Sequence, residues 1–149
     1  IKKYGSKLII NDRADIAILS GSHGVHSPSF GISNKDIRKL SGSLISGKSV
    51  HSVTEAIKAE KEGFDYIMFG PVFRTPAKVK YGRPQGIKRL EEICSSVNIP
   101  VFAVGGITPT RVKKCLSAGA YGIAAIREFM LPKDPAKVIN EFKKQLPGN

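Results

Sequence analysis

Acidic residues are scarce in this chain. Twelve Asp and Glu stand against 24 Lys and Arg in 149 residues, for a formal charge of +12. So basic a balance raises nucleic acid or a membrane surface as partners. Yet no run of five like charges occurs, and zinc-finger spacings and aromatic-basic motifs are missing. The basic residues are spread over expected helix exteriors, for example Lys35, Arg38, Lys58, Lys61, Lys113 and Lys143. No nucleic-acid partner is expected. A basic surface that draws in phosphorylated small molecules fits better. Long apolar runs are missing too. None reaches the ~20 residues of a membrane span, so no membrane partner is expected. Cysteine is limited to Cys94 and Cys115, which form no Cys-x-x-Cys pair. They read as half-buried thiols in a reducing cytoplasm, the expected location. Gly-x-Gly-x-x-Gly, P-loop and nucleophile-elbow motifs are absent, which removes the plainest dinucleotide, nucleotide and esterase readings.

What is present is an alternation of strand and helix patterns. Lys7 to Ile10 reads as a short apolar strand ending at Asn11-Asp12, followed by a helix from Ala14 to Leu19. Gly24-Val25-His26 is a brief strand, and Asn34 is placed to cap a helix running to about Leu40. Leu44 to Val50 is a further strand. Ser52-Val53-Thr54-Glu55 has capping-box spacing for a helix that Gly63 stops. Phe64 to Phe69 is an apolar strand that runs into Gly70-Pro71, and a loop leads on to a helix from Ile87 to Val97. Pro100 to Val104 is wholly apolar, as in a parallel sheet covered on both faces. Thr108 and Pro109 suit a helix start, Gly122 to Ile126 a last strand, and Pro135 the start of a final amphipathic helix.

About six βα units with short connections imply a parallel sheet. A doubly wound sheet and a (β/α)8 barrel both meet that pattern. Polar or glycine residues end strand after strand: Asn11, His26, Ser49, Gly70, Gly105. Such a ring favours the TIM (β/α)8 barrel, whose site lies at the strand C-termini. A barrel usually needs ~250 residues and about 200 at the low end, so roughly two βα units are lacking. The expectation is one TIM-barrel domain over residues 1–149, its first two βα units absent. The chain begins at Ile1 with neither methionine nor a signal-peptide pattern, and a longer protein is expected.

The candidate site residues each carry two readings. Gly105 and Gly106 precede a helix, where backbone N–H groups can approach a phosphate; they can equally just make a turn. Arg127 after the last strand can add a cation or be a surface charge. Asn11 and Asp12 can bind an anion and a metal, or cap the following helix. His51 ends a strand where a general acid or base can sit, and His26 ends another; each can instead be a structural hydrogen-bonder. No histidine spacing supports a metal site. Thr75 and Lys78 lie in a cationic loop with Arg74, Lys80 and Arg83, suited to an anionic ligand or merely solvated.

Five segments in order resemble the thiamine phosphate synthase and TenI family. They are Ile9 to Ala17, Gly24-Val25-His26, Ser49-Val50-His51-Ser52 leading to Glu55-Ala56, Asp65 through Gly70-Pro71 to Thr75, and Val104-Gly105-Gly106-Ile107-Thr108. The resemblance implies a (β/α)8 barrel acting in thiamine biosynthesis on a thiazole phosphate. Synthases of this kind join a hydroxymethylpyrimidine diphosphate to the thiazole phosphate with magnesium. TenI-type members isomerise a thiazole carboxylate phosphate. By position, Asn11 and Asp12 match the diphosphate and magnesium residues, Ser49, Thr75 and Lys78 match diphosphate contacts, and Gly105 and Gly106 match the thiazole-phosphate loop. The departures are specific. The synthase's acidic run after Gly-Val-His is Ser-Pro-Ser-Phe-Gly here, Ala77 replaces a loop threonine, and Arg127 replaces a serine. Pro71 stands where TenI tautomerases carry their catalytic histidine.

The reading that results is a TenI-like thiazole tautomerase with His51 as substitute base and a thiazole phosphate held by Gly105, Gly106 and Arg127. The alternatives are a synthase using magnesium at Asp12, and a non-catalytic phosphate-ligand-binding or regulatory protein. A homo-oligomer is compatible with the chain.

Overall fold

The computed structural model describes residues 5–75, 83–131 and 134–147. Six strands and seven helices alternate: β1 (Ile9–Asn11), α1 (Ala14–Leu19), β2 (Gly24–Ser27), α2 (Asn34–Leu40), β3 (Ile45–Val50), α3 (Val53–Lys61), β4 (Tyr66–Phe69), α4 (Gly86–Ser96), β5 (Val101–Val104), α5 (Val112–Ser117), β6 (Gly122–Ala124), α6 (Arg127–Met130) and α7 (Pro135–Lys143). The strands follow chain order in one sheet, and the pairs β1–β2, β2–β3 and β5–β6 are parallel. This is the α/β architecture expected. The described residues form six strands where a (β/α)8 barrel has eight, so the expected closed barrel is not shown. Among the described residues no helix is long and apolar enough to cross a membrane.

The chain divides into two compact units, Ile1–Met68 with Val97–Ile99, and Phe69–Ser96 with Pro100–Asn149. In the first unit Val25, Ile37, Val50, Ala56, Phe64 and Ile67 are buried. Close approach there needs glycine. A Cβ on Gly24 would lie 2.2 Å from the Ile45 carbonyl oxygen, and one on Gly47 would lie 2.0 Å from Tyr66 Cζ. The strand register aligns Asn11 with His26 and His26 with Gly47. Asn11 and His26 therefore sit level with one another, and Ser49 lies two residues beyond that level on β3. Asp65 ties β3 to α2, accepting from Ser46 N–H at 2.7 Å and from Arg38 Nη2 at 2.8 Å.

One expected cap is corrected. Ser33, not Asn34, caps α2, its hydroxyl accepting from Asp36 N–H. Asn34 is buried instead and donates Nδ2–H to the Glu62 carbonyl at 2.9 Å. Tertiary packing has taken the asparagine that local pattern assigned to the helix end. The Ser52 cap of α3 stands as expected, accepting from Glu55 N–H. Such a cap is worth about 1 kcal/mol.

In the second unit Phe69, Val72, Leu90, Ile93, Ala103 and Val112 form the core. Beyond β4 the chain turns through a cis Gly70–Pro71 bond and runs along the end of β5. Val72 N–H donates to Val104 and Phe73 N–H to Gly105, at 2.9 and 3.0 Å. Thr108 stands before a 3-10 turn, Pro109–Arg111, and its side chain makes no capping bond. β6 stops at Ala124, so Arg127 opens α6 rather than ending the strand.

Candidate active site

In the second unit a cavity of about 370 Å³ lies at the C-terminal ends of β5 and β6. Gly105, Gly106, Thr108, Arg111, Thr75 and Arg127 are among its walls. Both glycines have positive φ, 95° and 65°. A Cβ on Gly105 would meet Pro71 Cα at 2.6 Å, and one on Gly106 the Arg74 carbonyl oxygen at 2.6 Å. The glycines are therefore required by backbone conformation and by close approach together. The 3-10 turn and the six-residue α5 give this loop little helix dipole, so an anion there would depend on backbone N–H groups and arginines. Arg111 was not singled out in the sequence. Its Nη1 donates to the Gly106 carbonyl at 2.6 Å, and its guanidinium lies 4.7 Å from the Phe73 ring centre. It holds the glycine loop in place. Lys78 lies outside the described residues.

Side chains dominate the strand ends of the first unit. Asn11 ends β1. Asp12 follows with φ of 63°, in the left-handed region that few non-glycine residues adopt, while its N–H donates to the His26 carbonyl at 2.8 Å. Neither residue caps α1, whose N-cap position belongs to Arg13. The capping alternative for this pair is thus removed. Strain of this kind tends to collect where a side chain must be aimed.

His26 is buried between two hydroxyls. Its Nε2 lies 2.9 Å from Ser49 Oγ and its Nδ1 3.2 Å from Tyr66 Oη. Burial, and then the charge of Lys48, push the imidazole pKa down to about 4, so the ring is neutral at physiological pH. Burial, and then Asp65, push the Tyr66 phenol up to about 12. The structural hydrogen-bonding reading of His26 is the one observed, and it joins His26 to Ser49, a candidate site residue. Lys48 donates at long range to Gly31 O (3.3 Å) and Ser27 Oγ (3.4 Å), holding the turn after β2. His51 is exposed, and its backbone N–H donates to Glu55 Oε2 at 2.8 Å. Cys94 and Cys115 are free thiols whose pKa values burial raises to about 11, which makes them poor nucleophiles.

A family model described as thiamine monophosphate synthase matches residues 1–129. This chain belongs to that family. A thiamine-phosphate synthase from Chlorobium limicola is 40% identical over 142 residues, 95% of this chain and 68% of that one. Another from Caldivirga maquilingensis is 36% identical over 142 residues, 95% of this chain and 69% of that one. Among solved structures, thiamine phosphate pyrophosphorylase from Pyrococcus furiosus aligns with a TM-score of 0.88 at 35% identity, covering 97% of this chain and 69% of that one. These relatives carry the synthase name, which favours the synthase alternative over the tautomerase expected first.

For magnesium, which the family resemblance implies, the candidate carboxylate is that of Asp12. Among the described residues no three His, Cys, Asp or Glu side chains gather as a metal cluster. Asp12 nevertheless fits as a single anchor, since magnesium is commonly bound by one or two carboxylates with substrate phosphates and water. Gly31 leaves a cradle beside it: a Cβ there would lie 3.1 Å from Asp12 Oδ1. The same position is crowded by Ser27 Oγ at 2.6 Å and Pro28 Cδ at 2.7 Å, so no second acid fits at residue 31 without rearrangement.

Proposed function

We propose that this chain acts as a thiamine-phosphate synthase, joining a hydroxymethylpyrimidine diphosphate to a thiazole phosphate with release of diphosphate. The observation that carries the reading is the glycine-built cavity beside Thr75 and Arg127, in a chain whose relatives are named for that reaction. In this reading the thiazole phosphate takes the backbone of Gly105 and Gly106, with Arg127 as counter-charge. Asn11 and Ser49 donate hydrogen bonds to the pyrimidine's diphosphate, and the family resemblance adds Lys78. Coupling breaks the bond between the pyrimidine methylene and the diphosphate, so charge builds on the departing oxygens. Donors aimed at those oxygens lower the barrier because they stabilise the charge only as it forms. Magnesium, held by Asp12, would neutralise part of that charge.

Coupling of this kind calls for no general base, so the exposed His51 has no step to carry. Pro71 occupies the place of the tautomerase histidine, which again supports coupling over isomerisation. The test is to incubate the full chain with both substrates and magnesium and to follow thiamine phosphate by fluorescence after oxidation to thiochrome phosphate. Product formation that Asp12→Ala abolishes supports the reading. Isomerisation of a thiazole carboxylate phosphate without coupling would return the tautomerase. Binding of a thiazole phosphate with no turnover of either kind would leave a non-catalytic binding protein.

A further inference from the structure

We propose that His26 is a positioning residue that turns the Ser49 hydroxyl toward a bound diphosphate, as the middle member of a Tyr66–His26–Ser49 chain. The inference rests on the assignment of Ser49 to the diphosphate in the proposed function. Its geometry belongs wholly to the first unit. The imidazole is buried, and its two nitrogens meet two hydroxyls, at 2.9 Å on Ser49 and 3.2 Å on Tyr66. A neutral imidazole has one donor nitrogen and one acceptor nitrogen. Only two polarities are therefore available to the chain.

In one polarity Ser49 donates to Nε2, Nδ1–H donates to Tyr66, and Ser49 offers a ligand only lone pairs. In the other, Tyr66 O–H donates to Nδ1, Nε2–H donates to Ser49 Oγ, and the serine proton is left to point away from the ring. An anion accepts hydrogen bonds and cannot donate them, so a bound diphosphate selects the second polarity. The phenol suits the donor role at its head, since a tyrosine hydroxyl is protonated at neutral pH. Each link in such a chain polarises the next, strengthening the terminal O–H as a donor.

The arrangement is built into the strands. Gly47 is aligned with His26, and its missing Cβ is the space the Tyr66 ring fills. The His26 and Tyr66 rings lie stacked, with centroids 5.6 Å apart. Ser49 lies two residues beyond Gly47 on β3, hence on the same face. Any side chain at residue 47 would push Tyr66 off His26. The chain of bonds thus depends on a glycine whose only visible role is to admit the ring.

The probe is inorganic pyrophosphate, titrated into the full chain by calorimetry. Charge-assisted hydrogen bonds of this kind are worth roughly tenfold in affinity. Ser49→Ala should weaken binding about tenfold, and His26→Ala by a similar factor. The double variant should be no weaker than Ser49→Ala, because the histidine acts through the serine. His26→Gln, which can present an amide N–H near the Nε2 position, should recover part of the loss. Tyr66→Phe keeps the ring and its packing, so it tests the chain even where His26→Ala fails to fold; a loss of about threefold is expected. Additive losses in the double variant would overturn the proposal. So would unchanged affinity in Tyr66→Phe, or a wild-type chain that does not bind pyrophosphate. Thiamine phosphate formation is measured separately. Product formed with additive losses sinks the relay and leaves the synthase reading standing; no product with non-additive losses does the reverse.

Discussion

In the second unit a cavity is walled largely by the glycine loop, with Gly105 and Gly106 at positive φ and Arg111 donating to the Gly106 carbonyl. In the first unit the strand ends carry Asn11, Asp12, His26 and Ser49, and the interactions run from side chain to side chain. Under the proposed function, the contrast teaches that anion binding can be built in two ways that fail differently. A backbone loop fails when anything is added to it. A side-chain network fails when something is removed or recharged.

The largest effect should therefore come from adding atoms to the loop. Gly105→Val places a branched Cβ against Pro71, where even a methyl would lie 2.6 Å from Cα, at a φ of 95° that disfavours any side chain. Left-handed strain of 1–2 kcal/mol and overpacking of 1–3 kcal/mol together suggest about 3 kcal/mol of lost stability. Urea unfolding should show a lower midpoint, and calorimetry should show no binding of a thiazole phosphate. A variant as stable as wild type would mean that the loop has room to move, and the contrast between the units would collapse.

The first unit should break through charge. His26 has a native pKa of about 4 against an ordinary value of 6.5. Between those values the unfolded chain binds more protons than the folded one, so stability falls as pH falls. The contribution is fully present above about pH 6.5 and is lost as pH drops through about 4. Lys48 is the charged side chain that adds to the effect of burial on the ring, and Tyr66 is its neutral hydrogen-bonding neighbour. The depressed pKa corresponds to at most about 3 kcal/mol, less what partial solvation screens. Urea unfolding at pH 7, 5 and 4 measures it, with His26→Gln as the reference that should flatten the slope. Equal slopes in the two proteins would show that the ring is solvated enough to protonate without cost.

A smaller effect tests the cation of the second unit. Arg127 is exposed at the first position of α6 and lines the cavity. Arg127→Ala should weaken binding of a thiazole phosphate about tenfold and leave stability within about 0.5 kcal/mol, as expected of an exposed position. Unchanged affinity would assign the phosphate to the glycine backbone alone.

Much of this was legible in the sequence, and the exceptions have physical causes. The βα alternation, the parallel sheet and the Ser52 cap follow from periodicity and local hydrogen bonding, which short windows contain. Gly105 and Gly106 were legible as the residues that turn the chain after an apolar strand, and their positive φ matches that reading. Arg111 was not, because its partners are a carbonyl five residues back and a ring on a different segment. The Tyr66–His26–Ser49 chain spans three strands and depends on a register that no single strand displays. Asn34 looked like a cap because its local sequence permits one, and burial against α3 overrode that preference. The choice between coupling and isomerisation was hardest, since Pro71 and Ala77 each remove one mark of an activity while the rest of the pattern serves both.

The finest test concerns Asp12, where backbone and side chain make opposite demands. Its φ of 63° suits asparagine and aspartate better than alanine, because a short polar side chain can bond locally in the left-handed region. Asp12→Ala should therefore cost about 1 kcal/mol of stability, and Asp12→Asn close to nothing. Both should impair coupling, since neither keeps a carboxylate for a metal. Thermal unfolding of the two variants, run beside the synthase assay, separates conformation from charge. If Asp12→Asn retains full activity, the carboxylate has no part in the chemistry. The first unit would then resemble the second, with residue 12 retained for the shape of its backbone.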